Sequence, residues 1–280
     1  MSHVNKDKRF RKMDLEFDYL SFGVDVLGLW KRINFWFKDH SLYTVIKKNH
    51  ELVKSENEKK KIYICALGPS LKDVDLNKID GDSFVVNSFF KLAAEYPNFV
   101  PTYYLWIDDD IYRTQSEMDN AKYAMGLYQP KGTRFIINSK ANHADFIKDV
   151  DIKKIYYMST FRGEFHPDKE YDMTKIMPVS GNVVSFAILL SILMGYKEIY
   201  LLGCDFNSFT TPKPLHCYND KDETKTLSLA QDLLAYAHVA KYHERLQELA
   251  ERKGVKIFNA TKGSLIDAYP FKIEEELYTK

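Results

Sequence analysis

Two patterns of apolar and polar residues divide the chain. From Leu15 to Val53, Phe17, Tyr19, Leu20, Phe22, Val26, Leu27, Leu29, Trp30, Ile33, Phe35, Trp36 and Phe37 are interrupted by Lys31, Arg32 and Lys38. That spacing predicts one or two amphipathic helices, which either pack on their own domain or lie on an anionic bilayer. The charged run Lys54 to Lys61 then reads as a solvated linker. Beyond it, short apolar runs alternate with helical ones, which predicts a mainly parallel sheet with helices on both faces. The expected strands are Ile62 to Ala66, Ser83 to Val86, Tyr103 to Ile107, Arg134 to Ile137, Lys154 to Tyr157, Glu198 to Leu202 and Val255 to Asn259.

Two helices have clear ends. One runs from Val183 to Met194 and is closed by Gly195; the other spans about Leu227 to Arg252 and stops before Gly254. The division expected is an N-terminal helical extension over 1–59 and one α/β domain over 60–280. With 280 residues, 45% of them apolar, the chain is long enough to bury a sizeable core. Forty basic against thirty-nine acidic side chains leave a net charge of +1, so no global field favours nucleic acid, and anionic ligands must be met locally. Three cysteines without Cys-x-x-Cys spacing argue against a disulfide framework or a structural zinc site and fit a reducing cytoplasm. The start of the chain is charged, and no stretch approaches the ~18 to 20 apolar residues of a membrane span. A cytoplasmic protein is expected, peripheral on the inner membrane face if the first stretch meets a bilayer.

The candidate chemistry clusters at strand ends. Ile62-Tyr-Ile-Cys-Ala-Leu runs into Gly68-Pro69-Ser70, a turn expected to open a helix with Ser70 and Asp73 at capping-box spacing. Asn87, Asp108 and Asp205 each follow an apolar strand, the positions that line the ligand crevice of an open parallel sheet. Ser180-Gly181-Asn182 opens the second helix, so two helix N-termini offer N–H groups that would bracket a phosphate. Each of these residues alone reads equally well as a turn or a cap.

Together they carry a resemblance. Gly68-Pro69-Ser70-Leu71, Asn87, Ser180-Gly181 and Gly195-Tyr-Lys-Glu-Ile-Tyr-Leu-Leu-Gly-Cys-Asp205-Phe206 are similar to segments of the bacterial lipooligosaccharide sialyltransferases, over roughly residues 60 to 265. Ile257-Phe-Asn-Ala-Thr261 resembles the last strand of the motility-associated glycosyltransferases. The resemblance implies a Rossmann-like domain that binds a cytidine-monophosphate sugar, needs no metal, and uses a histidine as general base on an acceptor hydroxyl. Carried over, Gly68 and Ser70 would contact donor phosphate or ribose, Asn87 and Asp108 would line the donor pocket, Ser180 and Gly181 would hold sugar or phosphate, and Asp205 the nucleoside. The base falls to His216, in the loop after the Asp205 strand, with Tyr218 a phosphate contact; His166, His238 and His243 are the other imidazoles to consider. Two departures bear on which donor is taken: Ala66-Leu67 replaces the family's Gly-Asn, and Asn207 replaces a tyrosine.

The implied partners are a nucleotide-sugar donor and a cell-surface glycan acceptor; self-association is left open. Other readings stand beside it. Asp108-Asp109-Asp110 would suit Mg²⁺ or Mn²⁺ at Asp108 and Asp110, in a uridine-diphosphate-sugar transferase or in an Mg-ATP enzyme resembling hydroxymethylpterin pyrophosphokinase. A nucleotide-binding module without catalysis is the third.

Overall fold

The computed structural model describes residues 40–53, 61–162, 165–179, 181–218 and 227–272, with 33 and 225 as single positions. Seven apolar runs form one parallel sheet: β1 (Lys61–Cys65), β2 (Asp82–Val86), β3 (Tyr103–Trp106), β4 (Arg134–Asn138), β5 (Ile155–Met158), β8 (Glu198–Leu202) and β9 (Lys256–Asn259). Their order is β5-β4-β3-β2-β1-β8-β9, and every neighbouring pair is parallel. β6 (Thr160–Arg162) and β7 (Met177–Val179) make a separate two-stranded piece.

Why the strands are apolar throughout follows from what covers them. Period-two alternation sends Ile62, Ile64, Phe84, Val86, Ile199 and Leu201 to one face, where they pack against α3 (Val183–Leu193) and α4 (Leu229–Arg252). Tyr63, Cys65, Val85, Tyr104, Tyr200 and Leu202 point the other way, toward α1 (His40–Lys47) and α2 (Gln115–Tyr128). Both faces are dry, so the alternation of a one-sided sheet disappears. The expected Rossmann-like layering is therefore present.

α3 is apolar all round and has nine consecutive buried residues from Val184 to Ile192, as a helix enclosed on every side must. Asn182 caps it through a reciprocal box with Ser185. At the far end Gly195, at φ 92°, closes it with Gly195 N–H on Ile192 O and Tyr196 N–H on Ser191 O. α4 starts at Leu229, two residues later than expected, behind the Ser228 cap, and Gly254 ends it at φ 65°.

Three differences from the expected layout have local causes. The Gly-Pro-Ser turn opens a five-residue 3-10 helix, Pro69–Asp73, rather than an α-helix, and the Ser70–Asp73 box does not form because the Ser70 hydroxyl is spent on Asp205. Lys61 opens β1 instead of ending a linker; 54–60 lie outside the described residues. Of the aromatic N-terminal stretch, only Ile33 and 40–53 are described, and there Leu42, Ile46 and Leu52 are buried in the α/β cores while Asn49 donates to Tyr157 O and Met173 O. That part spends its apolar side on its own domain. Among the described residues no helix is long and apolar enough to cross a membrane.

Candidate functional site

The chain leaves β1 in one direction, toward β2 to β5, and reaches β8 and β9 in the other, so the strand order reverses between β1 and β8. In an open parallel sheet such a reversal parts the crossovers and leaves a crevice at the carboxyl ends of the two strands. The crevice is there: a cleft of about 240 Å³ lined by segments 66–68, 86–87, 182–184, 203–208 and 215–216, with Tyr236 and Ile266.

Its floor is built by close backbone approach. Ala66 N–H and Gly68 N–H continue the ladder onto Leu202 O and Gly203 O. A Cβ on Gly68 would lie 2.0 Å from Asp205 Oδ2 and 2.5 Å from Gly203 O, so this position is closed to any side chain. Gly203 (φ 65°) lets the chain turn away from β8. Thr261 and Ser264 then pin the exit through Cys204 N–H on Thr261 Oγ1 and Ser264 Oγ on Cys204 O. Phe206 sits in the left-handed region at φ 57°, with its ring on Tyr236 and edge-on to His243.

Asp205 is 9% exposed, and its Oδ2 accepts from the Ser70 hydroxyl at 2.8 Å and the Ser70 N–H at 3.3 Å. Two residues expected to touch the donor separately are thus joined, and the first anion cradle already holds a carboxylate of the protein itself. The second, the start of α3, opens into the cleft through Asn182, Val183 and Val184. The Asn182 cap takes the Ser185 N–H of its first turn, and the end of the helix dipole there still favours negative charge. Gly181, exposed at φ 86°, makes the turn into it; Ser180 lies outside the described residues.

Asn87, the other non-glycine at positive φ (40°) among the described residues, lines the cleft and donates through Nδ2 to Asp108 Oδ2 at 2.8 Å. Asp108 therefore stands behind Asn87. His216 lines the cleft, in a loop tied down by Cys217 N–H on Leu67 O, and its ring stacks on Tyr218 at 4.9 Å, which Lys91 covers from 4.6 Å. Tyr218 backs the imidazole and is not itself in the lining. Burial pushes the Cys204 and Cys217 thiols up, away from nucleophilic use, and His243 is wholly buried with its pKa lowered to about 4 by desolvation. His216 is left as the imidazole in the lining.

Among the described residues no three His, Cys, Asp or Glu side chains group to hold a metal; the Asp110 side chain lies outside them. The sequence pattern marked Asn182 only as part of the turn opening α3, and Leu215, Tyr236 and Ile266 not at all as lining residues. Only Asn182 carried a signal, as the polar residue immediately before an apolar helix.

No family model matches the chain, and no curated protein matches it. Solved structures to which it is similar include sialyltransferases. One is CstII from Campylobacter jejuni, in complex with the substrate analogue CMP-3FNeuAc: 16% identity, TM-score 0.46, 76% of this chain and 85% of that one. A CST-II complex with trisaccharide acceptor and CMP aligns at 17% identity, TM-score 0.47, over 79% and 88%. The monofunctional alpha-2,3-sialyltransferase Cst-I of the same organism aligns at 13% identity, TM-score 0.48, over 81% and 84%. At these identities single residues are not equated with theirs.

Proposed function

We propose that the cleft binds a nucleotide-activated sugar, a CMP-sugar, and transfers the sugar with inversion to a hydroxyl of a cell-surface glycan. The observation that carries this is the meeting, in one cleft at the reversal of strand order, of the α3 N-terminus, the Gly68 turn with its Asp205 lock, and His216. His216 takes the acceptor proton, the acceptor oxygen bonds to the anomeric carbon, and the bond from that carbon to the phosphate oxygen breaks with its electron pair on the nucleotide. The N–H groups at the start of α3 suit the charge on the departing phosphate. Ala66, Leu67 and Asn207, the positions that depart from the sialyltransferase-like pattern, all belong to the cleft lining, so they bear on the choice of sugar.

The test is turnover of CMP- and UDP-sugars with a panel of glycan acceptors, with and without EDTA, by wild type and His216→Ala. A CMP-sugar should be used in the presence of EDTA. The variant should lose turnover by a factor on the order of 10² to 10⁴ while its nucleotide affinity and circular dichroism stay unchanged. Wild-type turnover by the variant, or exclusive use of a UDP-sugar with metal, would overturn the proposal.

A further inference from the structure

Asn87 and Asp108 form a unit whose chemistry is more specific than two separate contacts. A carboxylate only accepts hydrogen bonds, so the side of the Asn87 amide that meets Asp108 Oδ2 at 2.8 Å must be its NH₂. Oδ1 is then committed to the other side. It is buried at the cleft and has no hydrogen-bond partner among the described residues, a state that calls for a further partner such as a ligand. The backbone is held as firmly: Asn87 sits at φ 40°, and Tyr104 OH donates to its carbonyl at 2.5 Å while accepting from Phe90 N–H at 2.9 Å. Strain of this kind persists where the surroundings dictate the position.

Position gives the ligand group. Asn87 ends β2, the neighbour of β1, whose exit turn carries Gly68. In dinucleotide-binding Rossmann sheets an acidic residue at the corresponding strand end, roughly 20 residues beyond the first glycine, accepts from the ribose 2′-hydroxyl, and Asn87 occupies that place although the Gly-rich fingerprint is absent. Here the carboxylate stands one side chain further back, on Asp108 beyond β3, and a neutral amide faces the cleft. Since the cleft already contains the Asp205 carboxylate, an uncharged acceptor avoids a second negative group beside the nucleotide phosphate. We infer that Asn87 Oδ1 accepts from the ribose 2′-hydroxyl of the bound nucleotide and that Asp108 is a positioning residue locking the amide in its acceptor orientation. The inference rests on the nucleotide-binding reading of the cleft.

The experiment is calorimetric titration of wild type, Asp108→Asn and Asn87→Ala with the four ribonucleoside 5′-monophosphates, their 2′-deoxy counterparts and CMP-sialic acid. Wild type should bind its preferred ribonucleotide about tenfold more tightly than the deoxy form. Asn at 108 offers either a donor or an acceptor, so the amide of Asn87 is free to turn; the ratio should fall to about twofold with deoxynucleotide affinity unchanged. A merely structural role of Asp108 would weaken both forms alike and leave the ratio intact, which overturns the assignment. So does a wild type that ignores the 2′-hydroxyl. If the ratio survives in Asp108→Asn but the advantage of CMP-sialic acid over CMP is lost, the hydroxyl belongs to the transferred sugar and the ribose assignment falls. Failure of every nucleotide to bind wild type overturns the reading of the cleft itself, and this inference with it. Asn87→Ala should equalise ribo and deoxy affinities; should it fail to fold, the Asp108→Asn ratio decides alone.

Discussion

Between α1 and the edge strand β5 lies a cavity of about 950 Å³ whose lining includes Lys48, His143, Lys148 and Lys153; the cleft at β1 and β8 measures about 240 Å³. By size and positive charge the edge cavity is the better anion site. Two of its lysines nevertheless already hold protein partners. Lys48 Nζ donates to three carbonyls, Ile152 O at 3.2 Å, Lys153 O at 2.6 Å and Ile155 O at 3.1 Å, which ties α1 and its exit turn to the sheet edge. Lys148 is paired with Asp145 at 2.7 Å. In the smaller cleft the reverse holds: a buried acceptor is left without a partner, two non-glycine residues stay in the left-handed region, and a helix N-terminus opens inward. Asn49 Oδ1 beside β5 is also buried without a partner among the described residues, but it is not in the lining of the edge cavity, so it is the coincidence of all three features in one lining that favours the cleft, over volume or charge, as the proposed ligand site.

Acid should separate the two regions most strongly. Each has a histidine, but His143 is exposed beside the edge cavity whereas His243 is buried behind Phe206, its Nδ1 2.9 Å from Tyr269 OH. Burial holds the folded-state pKa of His243 at about 4, below the ~6.5 of an unfolded chain. The unfolded state therefore binds more protons between those values. The stabilisation from keeping the ring neutral is complete above pH 6.5, fades as pH falls, and is gone by about pH 4, a loss on the order of 3 kcal/mol. Thermal unfolding from pH 7 to 4.5 should show this acid loss reduced in His243→Asn, whose amide still meets Tyr269, and unchanged in His143→Asn. An equally steep loss in His243→Asn would remove His243 as its source.

Next in size is Gly68→Ala. The added methyl would fall 2.0 Å from the Asp205 carboxylate, so the Ser70–Asp205 pair must part or the two strand ends must separate. We expect a stability loss of about 1 to 3 kcal/mol and nucleotide affinity lowered about tenfold, read by thermal unfolding and calorimetry on one preparation. Wild-type affinity in Gly68→Ala would mean the floor of the cleft plays no part in binding, and the contrast with the edge cavity would fail on that side.

How much of this was legible depended on the length scale of the signal. The seven sheet strands and helices α3 and α4 were readable because apolar runs, caps and Gly195 and Gly254 are local. α2 was missed because its buried face, Ala121, Ala124, Met125 and Tyr128, is half alanine and barely registers as an apolar stripe; the Thr114 to Glu117 spacing was the signal available. Strand-end placement marked Gly68, Asn87 and Asp205, which line the cleft, since position after a strand is again local; His216, also in the lining, came from the resemblance. What no spacing encodes is which side chains spend their capacity on each other. Ser70 on Asp205 is 135 residues apart in the chain, and Asp108 on Asn87 joins two different strand ends. The fate of the aromatic N-terminal stretch was open for the same reason, as an amphipathic face does not name what it packs against; Leu42 and Ile46 met the sheet.

The smallest effects belong to the edge cavity, and they are the control on the whole contrast. Lys48→Met removes a cation that three carbonyls share, so it should cost about 1 to 2 kcal/mol of stability, seen as a lower Tm. Its effect should stop there, because nothing it holds reaches the cleft. Lys148→Ala breaks only a solvent-exposed pair with Asp145 and should leave Tm, nucleotide affinity and turnover where they were. Both lysines line the same cavity and only one is built into the sheet, so the pair of variants tells a structural cation from a ligand-binding one. If Lys148→Ala instead lowered nucleotide affinity by about tenfold, as removing a cationic partner from a bound anion would, the substrate would be captured between α1 and β5, and unspent capacity at the reversal of strand order would have pointed to the wrong end of the sheet.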